Sequence, residues 1–493
     1  MLSRYWTMAS RICISSLVLA VCIVKTRGGD ACPYKECKCD DDNVFCEELG
    51  LTVIPQITGS RIGRKYLKMG TNNITDIPAG SCLPSNLTEI SFLNNPIATI
   101  DDGAFDDSAN TLETLSFSGA RFTAIPEAIL HLRALKTLTI YNTAIQDWND
   151  AVVKRIGPSL EILQLDNVSL TVWPAWMQDF SHLIELSFQS NAIADVPEDA
   201  LDALVKILQT LDLSKNRLTS IPIAFSNLQV LESLDLSFNK ITDITFLPNS
   251  SYLAQLSLMH NQISDADHLS NALQPLGATL SGLYIYGNKF TKIPDLDFMS
   301  NLGDLDLSGN QIHDPNSGSL PSIITYLELD NNALPSIPTI MFSVTGLVSI
   351  VMSYNRVTNI LAQDIPSWIE ELQFGYNLIT ELTDTSFPEN SIINSIDLMY
   401  NPIVKISDRA FDNVPKLNIL NLQGSQLTRL PLALATLSLL TWLDITSDPD
   451  LVCTCMEKSL APWILTRQTT IMAKCGDTDI YDFFDILSQS CPT

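Results

Sequence analysis

The sequence predicts an α/β solenoid: a stack of short repeats bent into a horseshoe, with a parallel sheet on the concave side and turns and short helical segments on the convex side. Three observations predict it. The pattern L-x-x-L-x-L-x-x-N-x-L recurs every 22 to 27 residues between Arg64 and Asp450. A cluster of four cysteines, Cys32 to Cys46, directly precedes that region and another four follow it. Within each repeat the leucines alternate as in a strand too short to stand alone.

Seventeen units fit, starting at 64, 87, 112, 135, 160, 183, 208, 231, 253, 280, 302, 324, 347, 369, 393, 417 and 440. Clear copies are Leu208-Leu211-Leu213-Asn216-Leu218 and Ile324-Leu327-Leu329-Asn332-Leu334. Leucines at the fourth and sixth positions point into one interior while the residues between them point outward. One repeat cannot bury that face alone, so stability comes from neighbours stacked in parallel. The Asn has a mechanical role, since the chain turns inward after the strand and an amide side chain both donates to and accepts from the backbone left there. Ala120, Thr143, Val168, Ser425 and Asp448 stand in that slot in five repeats. The first three are consecutive, which predicts either a local change of curvature or simple tolerance. Ile-Pro pairs or near variants follow many units, as at Ile221-Pro222, Ile337-Pro338 and Leu430-Pro431. Proline disfavours a long helix in the return segment, so longer helices are expected only in longer returns such as 265–276.

The eleven cysteines sort by position. Cys13 and Cys22 lie in an N-terminal stretch with basic Arg4 and Arg11 and an apolar run from Ile12 to Val24, read as a signal peptide over residues 1–28. Cys32, Cys37, Cys39 and Cys46 fall in a module at 30–63, and Cys453, Cys455, Cys475 and Cys491 in one at 451–493; the repeats occupy 64–450. Even sets in a secreted chain indicate disulfide staples, placed where a solenoid otherwise exposes its apolar cross-section. Zinc is the competing reading of the first set, which lacks the paired C-x2-C form. Cys82 stands alone, either as a buried free thiol or as a bridge in a homodimer.

Repeat and cysteine modules together resemble the extracellular leucine-rich-repeat proteins: Toll-type receptor ectodomains, Slit-like guidance proteins and small leucine-rich proteoglycans. The resemblance implies that Cys32 pairs with Cys39, Cys37 with Cys46, Cys453 with Cys475 and Cys455 with Cys491. It also implies a concave face that holds a protein or glycan in an immune, guidance or matrix setting. The chain is accordingly expected to be a secreted, soluble recognition or adhesion protein, with no membrane span, as a monomer or homodimer. Two other readings stay open: a non-catalytic or inhibitory subunit of a secreted enzyme, and a structural matrix protein that self-associates.

Composition narrows the partners. The formal charge is −26, and residues 1–28, with four bases and no acid, make the remainder more acidic still. That balance disfavours nucleic acid and anionic membranes. Catalysis is not expected, and no cofactor or metal is implied. The five histidines are scattered, no metalloprotease, hydrolase, P-loop or EF-hand spacing occurs, and an open face lacks the water-excluding pocket that acid-base chemistry uses.

Candidate ligand contacts are therefore the outward residues of the strand face. Tyr354, Tyr376 and Tyr400 stand just before Asn in three successive repeats. Equivalent positions stack about 5 Å apart, so the three rings are expected to form a stripe, either for a ligand or to stabilise the ladder by stacking. Phe238, His260, Tyr284 and Tyr286 lie earlier on the same face, and Asp304, Asp306, Glu328 and Asp330 are expected side by side there with Asp212 and Asp235 further back. Such acids would steer a basic partner, hold calcium weakly, or be only a solvated face. Glycosylation sequons occur at Asn73, Asn86, Asn167 and Asn249; a glycan on Asn167 would sit on the strand face and push binding toward later repeats.

Overall fold

The computed structural model describes residues 32–80, 82–447, 450–466, 470–486 and 490–491; the stretch read as a signal peptide and the slot residue Asp448 lie outside them. A sheet of 20 strands runs along one side, from Lys38–Cys39 to Thr470–Met472. Its first two strands, Lys38–Cys39 and Asn43–Phe45, pair antiparallel. Every later pairing in it is parallel, beginning with Asn43–Phe45 against Tyr66–Lys68. The fourth-position leucines pair rung to rung, Leu211 with Leu234 and Leu234 with Leu256, and all three are buried. They share one continuous core with the sixth-position residues, as the alternation requires.

The asparagines close the inward turn. Asn239 donates to the carbonyl oxygens of Leu213 at 2.9 Å and Leu236 at 3.0 Å and accepts from the Leu218 amide at 2.9 Å, so one side chain ties two repeats. The device runs unbroken through ten repeats from Asn191 to Asn401. Where the slot holds Ala120, Thr143 and Val168, other groups take over. The Thr143 hydroxyl accepts from the Ala120 amide at 3.2 Å, and the Ile145 amide bonds the Val168 carbonyl directly at 3.1 Å. In these repeats the strands lengthen to five residues, Thr114–Ser118, Thr137–Tyr141 and Ile162–Asp166, against three in most others. The lost amide bonds are exchanged for extra ladder bonds.

On the other side the return segments carry short 3₁₀ turns. Those at Glu127–His131, Ala175–Asp179, Ile223–Asn227, Thr339–Phe342 and Leu432–Thr436 each follow a proline in extended conformation. Two helices interrupt the pattern. Helix α1, Asp150–Ile156, is an addition to the expectation from sequence; it buries Val152, Val153 and Ile156 beside Trp176 and Phe180. Helix α2, Ala266–Leu273, occupies the long return as expected, its N-terminus capped by Asp265 accepting from the His268 amide.

Both ends are closed by cystines: Cys32–Cys39 and Cys37–Cys46 at the first, Cys453–Cys475 and Cys455–Cys491 at the second. The terminal modules each add strands to the sheet, so its edge strands belong to a cap rather than to a repeat. The second module is anchored by Trp463, whose indole donates to the Leu437 carbonyl at 3.1 Å, and by an ion pair between Arg429 and buried Glu457. Cys82 is free and half-buried rather than buried, and its carbonyl accepts from the Tyr34 hydroxyl at 2.6 Å.

Candidate functional site

The outward face of the sheet presents columns of side chains whose order the register fixes. The column at the fifth repeat position reads Asp212, Asp235, Ser257, Tyr284, Asp306, Glu328, Val351, Gln373 and Asp397 through successive rungs. Its acids have a duty that the sequence did not disclose. Asp212 accepts from the Ser214 amide, Asp235 from Ser237 and Asp306 from Ser308, each at 2.8 Å, and so fastens the chain where it leaves the strand. Asp330 reaches across to the Ser353 amide at 2.6 Å.

The acids are not all neighbours. Asp306 and Glu328 lie on adjacent rungs, but Asp304 belongs to the other outward column, between Gly282 and Tyr326, with no acid beside it. Burial outweighs the hydrogen bonds and pushes the carboxyls of Asp212 and Asp330 up to about 6. Glu328 is also raised, by burial first, against the hydrogen bond from the Tyr326 hydroxyl. Tyr326, on the same face and 40% exposed, is a candidate that sequence reasoning missed; its third-position place in the repeat starting at 324 was the available signal. Among the described residues no group of three or more His, Cys, Asp or Glu is arranged to hold a metal ion.

A further column stands just before the Asn slot, and there the backbone is left-handed. The φ angles are 55° at Lys215 and Phe238, 50° at His260, 55° at Tyr354 and Tyr376 and 52° at Tyr400. Glycine and asparagine fill much of this register elsewhere, at Asn94, Gly119, Asn142, Gly287, Gly309, Asn331 and Gly424, as the conformation favours. The aromatic residues hold it against local preference and form two runs. Phe238 stacks on His260 at 4.4 Å, and His260 meets Tyr286 edge-on at 4.8 Å. Tyr354 stacks on Tyr376 at 4.2 Å and Tyr376 on Tyr400 at 4.7 Å. Each run leans onto a glycine of the next repeat: a Cβ on Gly424 would stand 2.5 Å from the Tyr400 ring, and one on Gly287 would stand 2.5 Å from His260. Desolvation, then the hydrogen bond with Tyr354, raises the Tyr376 phenol above its ordinary value.

The aromatic candidates all lie on this face; Phe238, His260, Tyr284, Tyr354, Tyr376 and Tyr400 are exposed and Tyr286 is half-buried beside them. The stripe of three tyrosines and the Phe238 to Tyr286 group are separated by the bare positions Gly287 and Gly309 and by Asn331. The four sequon asparagines are exposed. Asn167 falls in the left-handed register and donates to the Asn142 side chain at 2.8 Å.

A parallel sheet built one rung per repeat, tied by internal asparagines and closed at both ends by cystines, defines a leucine-rich-repeat solenoid. The leucine rich repeat family model matches residues 181–241, 206–263 and 391–449, and that of the BspA type leucine rich repeat region matches 67–169. Among curated proteins, the chain is similar to podocan-like protein 1 of Homo sapiens, 25% identical over 63% of this chain and 47% of that protein. It is also similar to podocan of Mus musculus, 28% identical over 59% of this chain and 44% of that protein, and to lumican of Bos taurus, 28% identical over 62% and 84%. The chain thus spans about half the length of these two podocan relatives. Among solved structures, a Leptospira interrogans LRR protein superposes with TM-score 0.57 at 24% identity over 79% of this chain and 90% of its own. The plant peptide hormone receptor RGFR1, in complex with RGF2, superposes with TM-score 0.51 at 19% identity over 79% and 70%. These likenesses show the fold.

Proposed function

We propose that this chain is an extracellular recognition protein that binds a protein or glycan ligand on its concave face, with Tyr354, Tyr376 and Tyr400 as the principal contact. The observation that carries the reading is energetic. A left-handed backbone costs about 1–2 kcal/mol at each non-glycine residue, while two stacked aromatic pairs return about 0.5–1.5 kcal/mol each. For three tyrosines the stacking does not offset the conformation, which local structure alone would give to glycine. Residues kept in such conformations mark functional surfaces, and tyrosine is a favoured anchor of binding hot spots. Cystines at both ends fit an oxidising, extracellular setting. No helix among the described residues is long and apolar enough to cross a membrane.

Replacing all three tyrosines with glycine separates a ligand role from a structural one. The account expects urea unfolding to move by no more than about 1 kcal/mol, because relief of the backbone is offset by the lost stacking together with the greater unfolded-state freedom of three glycines. Affinity capture from the native fluid is expected to lose at least one partner retained by the unaltered protein. A variant that keeps every partner, or one that is destabilised without losing any, overturns the tyrosine assignment. Co-purification of an active enzyme on the unaltered stripe would favour the accessory-subunit reading instead.

A further inference from the structure

Between the two aromatic runs the left-handed column is bare. Phe238 and His260 fill it, Gly287 and Gly309 leave it empty for two repeats, and Asn331 resumes it. The His260 ring occupies the space that a side chain on Gly287 would need, whereas a Cβ on Gly309 would make only an ordinary contact with the Gly287 backbone at 3.4 Å, so that position has room for a side chain and leaves the gap open by carrying none. Its aromatic wall is His260 with Tyr286, and exposed Tyr284 stands on the neighbouring column.

That neighbouring column sets acids on either side of the gap. Asp212 and Asp235 precede Ser257 and Tyr284, and Asp306 and Glu328 follow. Ser257 supplies an independent observation. It is 8% exposed and lies between Leu256 and Leu258, which face the core, so its side chain faces the same side as the acids. Among the described residues its hydroxyl has no hydrogen-bond partner. A buried hydroxyl left unpaired costs about 1–3 kcal/mol, and a donor arriving along this face would satisfy it.

We infer that this gap docks a basic segment of a protein partner carrying two arginines four residues apart. The inference rests on the concave-face reading above and specifies the partner's chemistry. Guanidinium fits each feature: it stacks on aromatic rings, bonds carboxylate in a fork, and donates to a hydroxyl acceptor. Asp235 and Asp306 are three rungs apart, about 14 Å at the usual strand spacing. An extended chain covers that length in about four residues, and residues i and i+4 then face the same side. Asp306 is buried and Glu328 half-buried, so both have already lost hydration that a guanidinium bonded in a fork would replace, and the charge of −26 favours the approach of such a segment.

The test uses two synthetic peptides of equal charge, one with arginines four residues apart and one with arginines adjacent, titrated against the full chain at fixed ionic strength. The spaced peptide is expected to bind at least about tenfold more tightly to the unaltered protein than to Asp235→Asn/Asp306→Asn/Glu328→Gln, a difference of about 1.4 kcal/mol. A charge-matched variant on the return side, Asp195→Asn/Glu198→Gln/Asp199→Asn, is expected to lose no more than about twofold, the share of diffuse attraction. Gly309→Asn, which tolerates the left-handed backbone and fills the gap without altering charge, is expected to weaken binding as well. Equal losses in the two charge variants, or equal binding of the two peptides, overturns the proposal. Failure here is distinct from failure of the stripe: the tyrosine variant losing its natural partner while the peptides ignore the gap removes only this inference, and the reverse removes only the stripe.

Discussion

Replacing Asn377 with alanine is expected to destabilise the solenoid by about 3–5 kcal/mol, more than a typical surface change by an order of magnitude. The side chain donates to the carbonyls of Met352 at 2.8 Å, Phe374 at 3.1 Å and Gly375 at 3.3 Å, and accepts from the Val357 amide at 2.9 Å. It is 4% exposed, so water cannot replace what is lost, and each buried backbone group left unpaired costs about 1–3 kcal/mol. The damage also falls between repeats, because Met352 and Val357 belong to the preceding unit. Nearest-neighbour coupling is what holds a linear array together, so the loss is expected to broaden the transition as well as lower its midpoint. Urea unfolding followed by circular dichroism checks this, with exposed Asn359→Ala as the comparison. Equal midpoints for the two variants would contradict the structural role given to the ladder.

Removing the second cap's longer cystine, with Cys455 and Cys491 both changed to alanine, is expected to cost about 4 kcal/mol. The residues are 36 apart in sequence, and loop-closure entropy for a ring of that size sets the magnitude. The consequence exceeds stability. The cap contributes the strand Thr470–Met472 that pairs with Trp442–Asp444, and loosening it bares the edge of the last repeat. Unpaired edges recruit other chains, so size-exclusion chromatography is expected to show a larger assembly than the unaltered protein forms at the same concentration. A variant that elutes and melts like the unaltered protein would show that Trp463 and the Arg429–Glu457 pair suffice to hold the module.

The fold was legible in the sequence because its rules are local and repeated. Leucine spacing gives the inward face, the asparagines give the turn, and the cysteine clusters mark the ends. What escaped was what residue type does not specify. Helix α1 depends on how the long unit between 135 and 160 packs its return beside Trp176, not on any helical signal strong enough to read. The strands lengthen beside Ala120 and Val168 because the backbone there bonds to itself once the amide side chains are gone. At the candidate site, the exposed tyrosines could be counted from the register, but their left-handed conformation ran against their preference. The acids could be placed on the face but not assigned: Asp212, Asp235 and Asp306 each hold an amide two residues on, and only their paired neighbours show which column they share. Residue type alone misplaces Asp304 for that reason, and it gives no weight to Tyr326, which lies beside it.

A glycan wedge tests most directly whether the concave face is where partners bind. Glu371→Asn with Gln373→Thr creates a sequon whose two altered positions both lie on the strand face of the unit that carries Tyr376, between those of Tyr354 and Tyr400. Leu361→Asn with Gln363→Thr creates one on the exposed return segment nearby. With occupancy of both verified by mass, the account predicts that the sheet-face glycan abolishes partner capture and the return-side glycan leaves it intact. Capture that survives the first and is lost with the second would place binding on the opposite side of the solenoid.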